Sequence, residues 1–163
     1  MKPAFALGLV ALCTACRVSD LQEPESFDPA EVAGVYAIQE VDGHPVGWYH
    51  DLAAVSCQVA FIDGELDIGA SGEFTLDLDY NFRCLGAESG DGSARFYAHG
   101  NAVWKEGDLV FLRGLGPNFV NPLQLWDNWT FELKPDDAYV TLRFTGSHRA
   151  YFGDPVITLG PRQ

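Results

Sequence analysis

Apolar and polar residues alternate with a period of two along most of the chain, and no long stretch has the three-to-four spacing of an amphipathic helix. Residues 74–84 are the plainest case. Phe74, Leu76, Leu78, Tyr80, Phe82 and Cys84 occupy the even positions, with Thr75, Asp77, Asp79, Asn81 and Arg83 between them. Such a segment is a strand with one face in a core and the other in water. Upstream, Leu66, Ile68 and Ala70 keep the even parity, whereas Cys57, Val59 and Phe61 are odd. The inward face therefore changes parity around Asp63-Gly64, which requires a bulge or a turn there.

Directly opposed residues of paired strands face the same way, so the two options can be compared by counting. With Ala70-Ser71-Gly72 as a three-residue loop and Gly72 in its left-handed position, Ile68 opposes Phe74 and Leu66 opposes Leu76. One extra residue near Asp63-Gly64 then sets Phe61 against Tyr80, Val59 against Phe82 and Cys57 against Cys84. The alternative, a tight Asp63-Gly64 hairpin, pairs Phe61 with Leu66 and leaves Cys57 beside Ala70, far from Cys84. The long bulged hairpin is the favoured reading.

Two more hairpins follow. Residues 101–105 and 109–113 flank Glu106-Gly107. Residues 129–133 and 138–144 flank Lys134-Pro135-Asp136-Asp137, where Pro135 suits the second position of a type I turn and Phe131 opposes Val140. Tyr80, Phe82, Trp104 and Phe111 are read as inward aromatics. Adding residues 35–41, 94–99 and 156–159 brings the count to about eight to ten short strands. The fold class expected is all-β, an antiparallel barrel, with a β-sandwich as the alternative.

The N-terminus breaks this pattern. Lys2 precedes an apolar run over residues 4–12, then Cys13-Thr14-Ala15-Cys16, the layout of a secretory signal and too short to span a bilayer. Thr14 and Ala15 before Cys16 resemble the lipobox of bacterial lipoproteins, with Cys13 standing where Leu is usual. That resemblance implies a signal peptide over 1–15 and a diacylglycerol thioether on Cys16. Cleavage before Cys13, or ordinary cleavage after Ala15, stays open. Residues 17–31 hold Pro24, Pro29 and five acidic residues with little apolar periodicity. With Cys16 they read as a lipidated tether, 16–31, ahead of a single β-barrel domain over 32–163.

Charge narrows the partners. The chain carries 23 acidic against 10 Lys and Arg side chains, a formal charge of −13. Such a surface repels phosphate backbones, so no nucleic acid is expected as a partner. With Cys16 lipidated and Cys13 removed, Cys57 and Cys84 remain, and an exported pair is most simply a disulfide.

Gly34-Val35-Tyr36, followed by a strand ending in Val41-Asp42-Gly43-His44-Pro45, resembles small bacterial lipocalin-like lipoproteins. The later cysteine, the Gly72 turn and the strand from Phe74 fit the same layout, so the resemblance covers most of the chain after the tether. It implies a barrel that often encloses an apolar ligand.

Chemistry-bearing residues are sparse. His44, His50, His99 and His148 show no metal-ligand spacing, and the serines lie in no Gly-x-Ser-x-Gly elbow. Asp77 and Asp79 fall on a solvent face, where they are poor general acids. No enzyme activity, metal or cofactor is expected. Residues 115–128 are apolar but irregular, with Asn121-Pro122 able to start one helical turn; they read as a plug or a lid over a barrel mouth. The loop around Trp48 could fold across the same opening. The candidate pocket is bounded by Tyr36, Tyr80, Trp104, Phe119 and Trp126. The expected function is noncatalytic binding of a small apolar or amphipathic ligand by an exported lipoprotein. It would be membrane-attached through its N-terminal lipid in the cell envelope, with the outer membrane favoured over a periplasmic or secreted form. The alternative is a structural or protein-interaction lipoprotein with a solid core and an envelope protein partner.

Overall fold

A computed structural model describes residues 28–52, 56–84, 90–117, 126–136, 139–145 and 154–161; the expected signal, Cys16 and most of the expected tether fall outside these. The described chain begins with a short 3-10 helix, η1 (Pro29–Glu31). Ten strands follow: β1 (Gly34–Val41), β2 (His44–Pro45), β3 (His50–Asp51), β4 (Cys57–Ile68), β5 (Glu73–Cys84), β6 (Gly90–Glu106), β7 (Leu109–Pro117), β8 (Trp126–Asp136), β9 (Tyr139–Thr145) and β10 (Val156–Pro161). From β4 to β10 each strand pairs antiparallel with its successor in the sequence, and β1 pairs with both β10 and β4. The result is a closed eight-stranded antiparallel barrel in which β2 and β3 are additions. Closure leaves the eight strands no long free edge, the main hazard of an isolated sheet.

The alternation dictates what faces inward. In β5, Phe74, Leu76, Leu78 and Tyr80 are buried, while Glu73, Thr75, Asp79 and Arg83 face solvent. The β4–β5 hairpin has the favoured long register. Ile68 opposes Phe74, Leu66 opposes Leu76, Phe61 opposes Tyr80, Val59 opposes Phe82 and Cys57 opposes Cys84, with one shift between Phe61 and Asp63. The extra residue is Ile62, which is exposed. Gly72 holds φ 92° in the connecting loop, and Cys57 and Cys84 form a disulfide.

Other registers differ from expectation. β6 and β7 turn through Gly107-Asp108, with Glu106 opposite Leu109 and Gly107 at φ 58° in the first turn position. Inward on β7 are Val110 and Leu112, so Phe111 points outward instead of inward. In β8–β9, Phe131 opposes Phe144 and Leu133 opposes Leu142, four residues beyond the expected register. Pro135 is a strand residue opposite Val140, past the last β8 residue paired to β7. Proline is tolerated at such a sheet margin. Both registers bury the same faces, since a shift by an even number preserves parity.

The barrel's middle is filled with aromatic rings. Phe74, Phe96, Trp129, Phe131 and Phe144 are fully buried, and Phe96 lies 4.7 Å from Trp129 and 5.7 Å from Phe144 in edge-to-face contacts, the geometry ring quadrupoles favour. A Cβ on Gly116 would come within 2.7 Å of the Trp129 ring, so glycine there makes room for the indole. The indole N–H donates to the Pro117 carbonyl at 3.1 Å, meeting its buried hydrogen-bond need.

The two ends differ. At one, η1 and Val32 close the barrel. Val32 is buried, Lys105 pairs with Glu31 at 2.8 Å, and Pro29 packs over Gly72. Asp28 to Glu31, expected as tether, thus belong to the folded domain. The other end, the candidate mouth, is where β1, β5, β7 and β9 finish and β4, β6, β8 and β10 begin.

Candidate functional site

The candidate mouth is shaped by residues 42–52 of the first connection. Asp42 and Gly43, at φ 52° and 74°, make a type I′ turn with Val41 opposite His44. Asp42 ties this turn to β10: its N–H donates to the Val156 carbonyl at 2.9 Å, and its carboxylate accepts from the Val156 N–H at 2.8 Å. β1 pairs with β4 only over Gly34 to Ala37 against Glu65 to Ile68. Toward the mouth the two strands separate, and the first connection fills the seam. There β2 joins β1, β3 joins β4, and the Gly47 N–H donates to the Phe61 carbonyl at 2.7 Å.

The connection is clamped from outside. Asp51 accepts from Gln58 at 2.7 Å, Gln58 accepts from the Arg83 guanidinium at 2.5 Å, and Arg83 lies 4.1 Å from the centre of the Tyr49 ring. Beside this chain, the Cys57–Cys84 disulfide joins the ends of the long hairpin. On the rim, His44 stacks on the exposed Trp48 with ring centroids 4.8 Å apart.

Inside the mouth, β4, β5 and β6 present Val59, Phe61, Tyr80, Phe82 and Ala94. Phe61 and Tyr80 are buried neighbours with centroids 6.2 Å apart. Phe82 and Ala94 are partly exposed while packed on the core. Gly92 opposes Phe82, and a Cβ there would strike the Phe82 ring at 2.6 Å, so Phe82 lies over this bare stretch of β6. Burial raises the Tyr80 hydroxyl above its ordinary pKa.

His50 completes this wall. It opposes Val59, so it shares Val59's inward face. Its Nδ1 is 3.4 Å from the Asp42 carboxylate, its side chain is 13% exposed, and its Nε2 is buried with no hydrogen-bond partner. Burial lowers the His50 pKa, opposed by Asp42 and reinforced by His44, whose ring centroid is 6.2 Å away.

Of the five expected pocket residues, Tyr36 and Tyr80 lie toward opposite ends of the barrel. Tyr80 is in the mouth half, and Trp126 begins β8 opposite Pro117 at the same end. Tyr36 is at the closed end, opposite Leu66, with its hydroxyl donating to the Val32 carbonyl at 3.0 Å. Trp104 also lies toward that end, opposite Phe111 near the Gly107 turn. The side chains of Trp104 and Trp126, and all of Phe119, lie outside the described residues, as do Asn121 and Pro122. Sequence reasoning missed His50 as a wall residue. The available signal was Asp42-Gly43, an I′ turn sequence that folds the following segment back along the barrel.

Outside the seam, Asp63, Glu65, Asp77, Asp79, Arg95 and Tyr97 border a solvent-facing groove of about 310 Å³. Asp77 forms an ion pair with Arg95. Among the described residues no group of three or more His, Cys, Asp or Glu side chains is arranged to hold a metal ion.

No protein-family model, curated protein or solved structure matches the chain.

Proposed function

We propose that this protein is an exported, Cys16-lipidated, noncatalytic binding protein of the cell envelope, with the outer membrane the favoured location. Its barrel mouth takes one small apolar or amphipathic ligand. The observation that carries this reading is the character of the inner wall there. Phe82 and Ala94 keep apolar surface open to solvent on an inward face, beside a histidine nitrogen that is buried and unpartnered. Small eight-stranded barrels hold one small ligand or are filled by side chains. Here the rings at Phe96, Trp129, Phe131 and Phe144 fill the middle, so the site is confined to the mouth half. Tyr36, whose hydroxyl bonds Val32 at the closed end, is left out of it, while Tyr80 stays in.

Titrating the full-length protein with fatty acids and aromatic probes, followed by tryptophan fluorescence, tests this. A saturable response weakened by Phe82→Asp supports it, and no saturable response to any probe overturns it. The filled middle and the groove around Asp63 and Asp77 favour one second reading, a lipoprotein that meets an envelope protein through its acidic outer face. That reading takes precedence if titration is silent.

A further inference from the structure

His50 marks the polar end of the mouth. Its inward direction follows from its pairing with Val59, a residue 1% exposed, and not from the outward Asp51, which bonds Gln58. The two imidazole nitrogens sit in different surroundings. Nδ1 is 3.4 Å from a carboxylate oxygen of the rim residue Asp42, whose negative charge favours the proton on that nitrogen. Nε2 then carries a lone pair and is an acceptor. It is buried and unpartnered, an arrangement proteins avoid unless another molecule completes it.

We infer that Nε2 of His50 accepts a hydrogen bond from an uncharged donor on the ligand, so that the ligand class is an apolar body ending in a hydroxyl, such as a phenol or an aliphatic alcohol. This rests on the mouth reading above. An anionic head group is disfavoured by Asp42 and by the net charge of −13. A cationic one is disfavoured because Nε2 is shielded from water, where an ion loses its hydration for one hydrogen bond. A neutral hydroxyl supplies the donor that Nε2 lacks and brings no charge to desolvate. The rings of Phe82 and Tyr80 supply the apolar side.

The test compares four probes of one shape, 2-naphthol, 2-methoxynaphthalene, 2-naphthoate and 2-naphthylmethylammonium. Each is measured by equilibrium dialysis against the full-length protein in lipid nanodiscs at pH 7.5, with empty nanodiscs subtracted. The expected result is at least about tenfold tighter binding of 2-naphthol than of its methyl ether, which cannot donate, and loss of that preference in His50→Leu. Equal binding of 2-naphthol and the ether by the unaltered protein, or a preference that persists in His50→Leu, overturns the His50 assignment and leaves the mouth site standing. Tighter binding of either charged probe overturns the assignment of a neutral donor. No saturable binding of any probe overturns the mouth site and this inference together.

Discussion

At the scale of single residues, Trp129 and His50 each carry a buried ring nitrogen, with opposite accounts. The Trp129 indole N–H is satisfied by Pro117 and its ring is packed by Phe96 and Phe144. Trp129→Ala should therefore cost about 3–5 kcal/mol, the range for emptying a large aromatic site in a core. Gly116→Ala should cost about 1–3 kcal/mol, because the new methyl meets the same indole. Urea unfolding measures both, and a loss below about 1 kcal/mol for Trp129→Ala would contradict the packed middle. His50 is predicted to make stability depend on pH. Burial chiefly lowers its pKa, so the unfolded chain takes up the proton at a higher pH than the folded one. The stability from this group is present above the unfolded value, about 6.5, and is lost as pH falls below it toward the folded value. Between pH 7.5 and 5 the melting temperature should drop more for the unaltered protein than for His50→Phe. Equal drops would assign the acid sensitivity to other groups.

At the scale of elements, the long hairpin owes its register to two local facts: a strict alternation and a parity change that one bulged residue resolves. The disulfide closes a sequence separation of 27 residues. Its removal by Cys57→Ser with Cys84→Ser should cost about 3.5 kcal/mol on the chain-entropy argument. Urea unfolding of the doubly substituted protein checks this, and an unchanged midpoint would contradict it. This hairpin was legible in the sequence because Cys57 and Cys84 supply an independent check on the count. The β8–β9 hairpin had no such check. Facing pairs repeat every two residues, so Phe131 satisfies parity against Val140 or Phe144 alike, and Pro135 drew the turn two residues too early, which moves the pairing by four. Phe111 was misread because the parity change at Ala102 to Trp104 falls in a segment without strict alternation. The seam is the least legible element. That β1 leaves β4 after four pairs, and that β2 and β3 fill the gap, depends on contacts between segments far apart in sequence, which alternation does not encode.

At the scale of the whole molecule, barrel class and inward faces followed from alternation, whereas the placing of the site depended on how aromatic bulk is shared between the two ends. The rings of Phe74, Phe96, Trp129, Phe131 and Phe144 fill the middle, η1 and Val32 close one end, and the apolar surface of Phe82 and Ala94 is left at the other. Tyr36 opposes the inward Leu66 yet stands at the closed end, and parity carries no information about height along a barrel. The proposed lipid anchor belongs to the N-terminus. Cys16→Ala should abolish palmitate labelling and release the protein from membranes, because a lipid is the apolar anchor that the signal reading supplies. Unchanged labelling and membrane partition in that variant would contradict the lipoprotein reading. The central claim, a lipid-anchored barrel with one ligand at its mouth, is tested most directly by native mass spectrometry of protein purified from envelopes. The account predicts the mass of the chain from Cys16 carrying a diacylglycerol, two hydrogens lighter for the disulfide, with one small non-covalent adduct released at raised collision energy. A chain without lipid and without any adduct would contradict it.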